Sequence, residues 1–220
     1  TAGATFVRFV YGLPFAVLFL ALASAATGEA PPAPGGSALL WAAGGGVAQI
    51  AATGLLLATM QARSFVVATA YTKTEPLLVA LFGVVALGDH LSAAGWAAIA
   101  IATAGVVALS WPRGDSGETH GWRPALLGLS AAALFALSAV GYRAAIVALG
   151  APSFVLGAST ILALTLALQS ALILGGLAVF DRALLSGLAG AWKPSLGAGF
   201  MGALASQFWF LAFAIESAAR

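Results

Sequence analysis

The sequence predicts an all-α integral membrane protein, a polytopic helical bundle, and three observations carry that prediction. Of 220 residues, 61% are hydrophobic and only 7% are charged, whereas a soluble domain carries about 25% charged residues. The mean hydropathy is +1.03. The apolar runs approach the roughly 20 residues that a helix needs to cross the hydrocarbon core. They also lack the apolar–polar alternation of a membrane β-strand. Nine Lys and Arg against seven Asp and Glu leave a net charge of +2, too small to suggest a nucleic-acid partner. There is no cysteine, and the two histidines are far apart. Disulfides, thiolate chemistry and most metal sites are thereby excluded, and no cofactor is expected.

Charges and Pro/Gly clusters divide the chain into seven expected spans. The first runs from Thr5 to Thr27 and ends at "GEAPPAPGGS", the strongest loop composition in the sequence. The second covers Ala38 to Ala62 and the third Ser64 to Leu87. "GDHLS" reads as a tight turn, with Ser92 capping a fourth span from Ala93 to Trp111. "PRGDSGETHGWRP" is the longest polar stretch and reads as a central linker. A fifth span from Pro124 to Leu149 stops at "GAPS", and a sixth runs from Ser153 to Phe180. "DRALLSGLAGAWKP" suits the membrane interface, with Trp192 and Lys193 as headgroup anchors. The seventh starts near Ser195 and is unfinished at Arg220. Gly44, Ala48 and Ala52 form one small-residue stripe and Ala94, Ala98 and Ala102 another, both suited to close helix packing.

Inside the third span lies "AYTKTEP", residues 70–76. Charged groups at the bilayer centre are costly and normally face protein or water. Lys73 and Glu75 are two residues apart, so a helix places them on different sides, where they do not form a simple local pair. Pro76 removes a backbone donor and biases Glu75 away from helical geometry. The stretch is therefore expected to kink and to face a cavity, as a solute or proton site. Its structural alternative is a set of bonds to Thr72, Thr74 and neighbouring carbonyls.

An internal repeat is visible. "GGGVAQ" at Gly44–Gln49 aligns with "GALASQ" at Gly202–Gln207, and "FV" at Phe6 aligns with "FV" at Phe154. The first span then pairs with the sixth and the second with the seventh. The chain opens without Met and reads as part of a longer polypeptide, with one helix before Thr1 and further helices beyond Arg220. Five spans in each of two halves give opposite orientations, as in inverted-repeat transporters. Gln49 and Gln207 become matched amides on matched spans. Trp209 with Phe208 offers an aromatic wall, although packing is the commoner role of such residues. Arg143 is expected to snorkel to the interface and Arg8 to anchor a helix end. His90, His120, Asp115 and Glu118 read as solvated loop residues.

"TAGATFVRFVYGLPFAVLFL", with its Arg8–Phe9 pair, resembles the second helix of an EamA-type repeat. "TEPLLVALFGVVALGDHLSAAGWAAIAIATAGVVALS" is similar to that repeat's fourth and fifth helices, with Pro76, Gly88, Asp89, Gly95 and Gly105 as its marks. Asp89 stands where the family more often has Glu. The resemblance covers residues 1–111 closely and 123–220 more loosely. It implies the drug/metabolite transporter superfamily: ten helices in two inverted repeats, 1–111 and 123–220, joined by 112–122. About seven of those ten helices are present. It further implies a multi-pass protein of the cell membrane, in a bacterium the inner membrane.

The expected function is transport of a small polar or amphipathic metabolite, outward or inward, by alternating access. Its partners are the solute and the bilayer, with coupling to a proton or ion. The expected cavity residues are Lys73, Glu75, Tyr71, Gln49, Gln207 and Trp209. The alternative is a membrane-embedded structural or interaction subunit that transports nothing. No paired acids, Ser/His/Asp arrangement, phosphate loop or metal spacing supports an enzyme.

Overall fold

The computed structural model describes residues 2–62, 68, 71–87, 92–110 and 122–218, which form helices and turns with no strand among them. In chain order the helices are α1 (Ala2–Val10), α2 (Leu13–Thr27), α3 (Gly36–Ala62), α4 (Glu75–Leu87) and α5 (Ala93–Ser110). They continue with α6 (Trp122–Leu149), α7 (Phe154–Phe180), α8 (Arg182–Gly190) and α9 (Trp192–Ala218). Among the described residues, five stretches are long and apolar enough to cross a membrane: Val7–Thr27, Gly36–Gln61, Arg123–Leu149, Phe154–Phe180 and Trp192–Ile215.

Seven spans were expected, and the difference lies in the third and fourth. These are represented by shorter apolar helices, Glu75–Val85 and Ala93–Gly105. Much of the third span before Tyr71 lies outside the described residues, as do the "GDH" turn and residues 111–121 of the linker region. Ser92 does cap its helix: the Gly95 amide donates to Ser92 Oγ at 3.1 Å.

Proline placement explains several helix starts. Pro14, Pro76, Pro124 and Pro194 each fall in the first turn of α2, α4, α6 and α9. A first-turn residue has no intrahelical acceptor for its N–H, so proline costs nothing there. Pro14 also divides the first expected span. Continuing the helix through it would press its ring on the carbonyl four residues back. The chain instead turns at Tyr11–Gly12, and the Ala16 amide begins α2 by donating to Gly12 O at 3.1 Å. At the other ends, Gly28 closes α2 at φ 71° and Gly150 follows α6 at φ 59°, conformations that suit a residue without Cβ.

Packing divides the described chain into two compact units that interleave along the sequence. One holds Ala48–Val140, the other Ala2–Val47 with Gly141–Arg220, so α3 and α6 contribute to both. In the second unit α7 packs against α1, α2, α8 and α9, burying Leu156, Ile161, Leu162 and Leu166. Glycines allow the closest approaches. A Cβ on residue 199 of α9 would lie 2.6 Å from the Tyr11 carbonyl oxygen, and one on residue 141 of α6 would lie 3.2 Å from that of Trp41. In the first unit, a Cβ on residue 128 of α6 would lie 2.6 Å from the Tyr71 Cβ.

The small-residue stripes need correction. Ala48 and Ala52 are buried, but Gly44 is exposed while Gly45 and Gly46 are buried. Ala94, Ala98 and Ala102 are all exposed. A four-residue spacing drifts around a helix of 3.6 residues per turn, and in an Ala-rich chain such spacing recurs without marking the packed face.

Candidate functional site

The "YTKTEP" stretch forms a break between two helical pieces. Tyr71 and Thr72 are helical, Lys73 and Thr74 form a turn, and α4 begins at Glu75. The turn is held by one carbonyl. Tyr71 O accepts the Thr74 amide at 3.2 Å and the Thr74 hydroxyl at 2.7 Å. The Leu78 amide donates to Thr74 O at 3.3 Å, the first bond of the new helix. Tyr71 and Thr74 are buried, Lys73 is exposed and Glu75 is half-buried. Glu75 occupies the first turn of α4, where the positive end of the helix dipole favours a carboxylate. Tyr71 lies flush against Gly128 of α6. The break therefore has a packed inner side and a charged outer side.

The two matched amides have different settings. Gln49 is half-buried on α3, and its backbone oxygen accepts the Thr53 hydroxyl at 2.8 Å. Gln207 is buried on α9 and donates from Nε2 to Ser159 Oγ of α7 at 3.0 Å. Gln207 Oε1 is enclosed and has no hydrogen-bond partner. Trp209 is 59% exposed and Phe208 63% exposed. The Trp209 ring packs on Phe213, with centroids 5.8 Å apart.

A polar junction that the sequence reading missed lies in the second unit. Gln169 of α7 is fully buried. Its Nε2 donates to the Gly46 carbonyl of α3 at 3.1 Å and to the Tyr142 hydroxyl of α6 at 3.3 Å. One amide thus ties three helices together. Gly46 makes room for it: a Cβ there would lie 3.5 Å from Gln169 Cγ and 3.6 Å from Thr165 Cγ2. One turn earlier on α7, the buried Thr165 hydroxyl has no hydrogen-bond partner. It also lacks the bond back to the preceding turn that Thr53, Thr59, Thr103 and Thr160 make. Ser170 donates to the Phe9 carbonyl of α1 at 3.2 Å. The available signal was an amide in the middle of a Leu-rich span, where polar groups find partners on other helices. Gln169 carries no charge and, unlike Gln49 and Gln207, has no matching amide in the repeat, where Ala21 falls opposite it.

Two arginines are half-buried. Arg143 has its Nε enclosed by protein. Arg8 does more than end a helix. Its stem lies beside Gly202 of α9, and its guanidinium sits over the Phe9 ring, 5.6 Å from the centroid.

A cavity of about 550 Å³ opens at the α6–α7 turn. Its wall includes Ile146, Val147, Gly150, Ser153, Phe154 and Ala214. It thus has apolar side chains, a hydroxyl and turn backbone, but no charged side chain.

Comparison with known proteins gives one finding. The family model described as the EamA-like transporter family matches residues 2–111. No significant match was found among curated proteins or among solved structures.

Proposed function

Because this chain belongs to the EamA-like transporter family, we propose that it moves a small polar or amphipathic metabolite across the membrane by alternating access, with "YTKTEP" facing the path. The carrying observation is the helix break at Lys73–Thr74, in a sequence otherwise apolar on both sides. At membrane depth, non-helical backbone is tolerated where protein or a water-filled cavity satisfies it. Discontinuous helices supply solute and ion sites in secondary transporters.

In this reading Lys73 holds an anionic group of the solute and Glu75 carries a coupling proton or ion. Tyr71, Gln49 and Gln207 supply hydrogen bonds, and Trp209 an aromatic surface. The two sequence halves, 1–111 and 123–220, act as inverted repeats around the 112–122 linker. The spacing of Gln49 to Gln207 supports this last element.

The test is solute flux in proteoliposomes containing the full-length protein, with a panel of amino acids, small organic acids and amphipathic amines. The expected result is saturable uptake or efflux of at least one class, reduced by Lys73→Ala. Absence of saturable flux across the panel favours the non-transporting subunit instead.

A further inference from the structure

The cavity at the α6–α7 turn and the unmet polar edge of Gln207 lie along one face of α9. Ala214 lines the cavity, and Phe210 and Gln207 precede it by four and seven residues, the spacing of one helix face. All three are buried. At about 1.5 Å per residue, Gln207 lies on the order of 10 Å along the helix from Ala214. Between them along the helix Phe210 packs on Tyr142, with ring centroids 4.7 Å apart.

At the inner end the hydrogen-bond accounting is incomplete. Gln207 Nε2 donates to Ser159 Oγ at 3.0 Å, while Gln207 Oε1 is buried with no partner. Ser159 accepts in that bond, so its own proton remains available. Turned over, the amide would present its NH₂ as the unmet group. In either orientation the pair accommodates a group that both donates and accepts. A hydroxyl does both. The cavity wall carries no charged side chain and several apolar ones, which selects against an ion and in favour of a hydrocarbon tail.

We propose that this cavity is the mouth of a binding site for a neutral, hydroxyl-bearing amphiphile, whose hydroxyl meets Gln207 and Ser159 once Phe210 rotates aside. The tail stays in the cavity against Ile146, Val147 and Ala214. The inference shares Gln207 with the proposed solute path but does not rest on the reading of Lys73 and Glu75.

The probe is a photoactivatable octanol carrying a diazirine, applied to the full-length protein in lipid nanodiscs, with adducts located by mass spectrometry. A diazirine-bearing octane without the hydroxyl serves as comparator. The expected result is labelling within residues 146–157 or 210–214 that n-octanol competes and that the octane does not reproduce. Gln207→Leu and, separately, Ser159→Ala should each reduce that labelling about fivefold, the effect of one lost hydrogen bond. Phe210→Ala should increase it by opening the route. Thermal melts of each variant confirm folding, and competition on the unmodified protein reads out the site if a variant fails to fold. Labelling confined to outward residues such as Val179 and Phe208, or equal with both probes, overturns the proposal. So does site labelling that both Gln207→Leu and Ser159→Ala leave unchanged.

Discussion

Gln169 and Lys73 show how differently two polar side chains are held in an apolar chain. Gln169 is enclosed and bonded to Gly46 O and Tyr142 Oη. Its contribution should be structural but modest, because hydrogen bonds within membrane proteins average about 0.6 kcal/mol. A double-mutant cycle of Gln169→Leu and Tyr142→Phe should give a coupling energy near ~0.6 kcal/mol in equilibrium unfolding, below the ~1.7 kcal/mol upper end. A coupling above that range would make this junction the principal lock of the bundle. Lys73, in contrast, is exposed at a helix break. If it binds an anionic solute group, Lys73→Ala removes a charge-assisted hydrogen bond of about 1.5–3 kcal/mol, roughly tenfold to a hundredfold in affinity. Isothermal calorimetry with the transported solute measures that loss. Unchanged affinity would leave Lys73 without a binding role.

At the scale of elements, the helices approach one another through particular glycines, and the cost of adding a methyl depends on what it meets. At residue 199 it meets the Tyr11 carbonyl oxygen at 2.6 Å. Backbone gives way only if the α1–α2 turn moves off α9. Gly199→Ala should therefore destabilise by about 1–3 kcal/mol, the usual cost of overpacking. At residue 44 a Cβ meets nothing within 4 Å, so Gly44→Ala should stabilise α3 by about 0.5–1 kcal/mol through helix propensity alone. Thermal melts of the two variants should shift in opposite directions. Equal shifts would mean that the close approach at Gly199 is not a packing constraint. This contrast also marks what the sequence makes legible. Apolar runs bounded by Pro and Gly placed the five long spans, because crossing length and helix punctuation are local properties. The division of the first span at Tyr11–Gly12 was written in Pro14 and was missed. Which glycine faces a neighbour was not legible, since that depends on helix rotation, which packing decides.

For the whole molecule, the polar groups most conspicuous in the sequence and those most enclosed in the structure are different sets. Lys73, Glu75 and Pro76 stood out by charge and by ring chemistry, and the helix break that Pro76 suggested is present at Lys73–Thr74. Gln169, Thr165 and Ser159 were silent, since an uncharged side chain in a Leu-rich run reveals its partner only once the helices are packed. Transport tests the first set as a unit. A half-buried carboxyl at a helix start can bind and release a proton during a conformational cycle while taking little part in holding the solute. If Glu75 does this, Glu75→Gln should abolish uptake driven by a pH gradient yet leave solute binding and solute exchange close to those of the unmodified protein. Lys73→Ala should instead weaken binding and reduce both driven uptake and exchange. Proteoliposome flux with and without the gradient, together with calorimetry and melting temperature for each variant, separates the cases. A lower melting temperature in both variants with normal driven flux would assign the pair to the helix break itself, as the charged outer side of a structural turn.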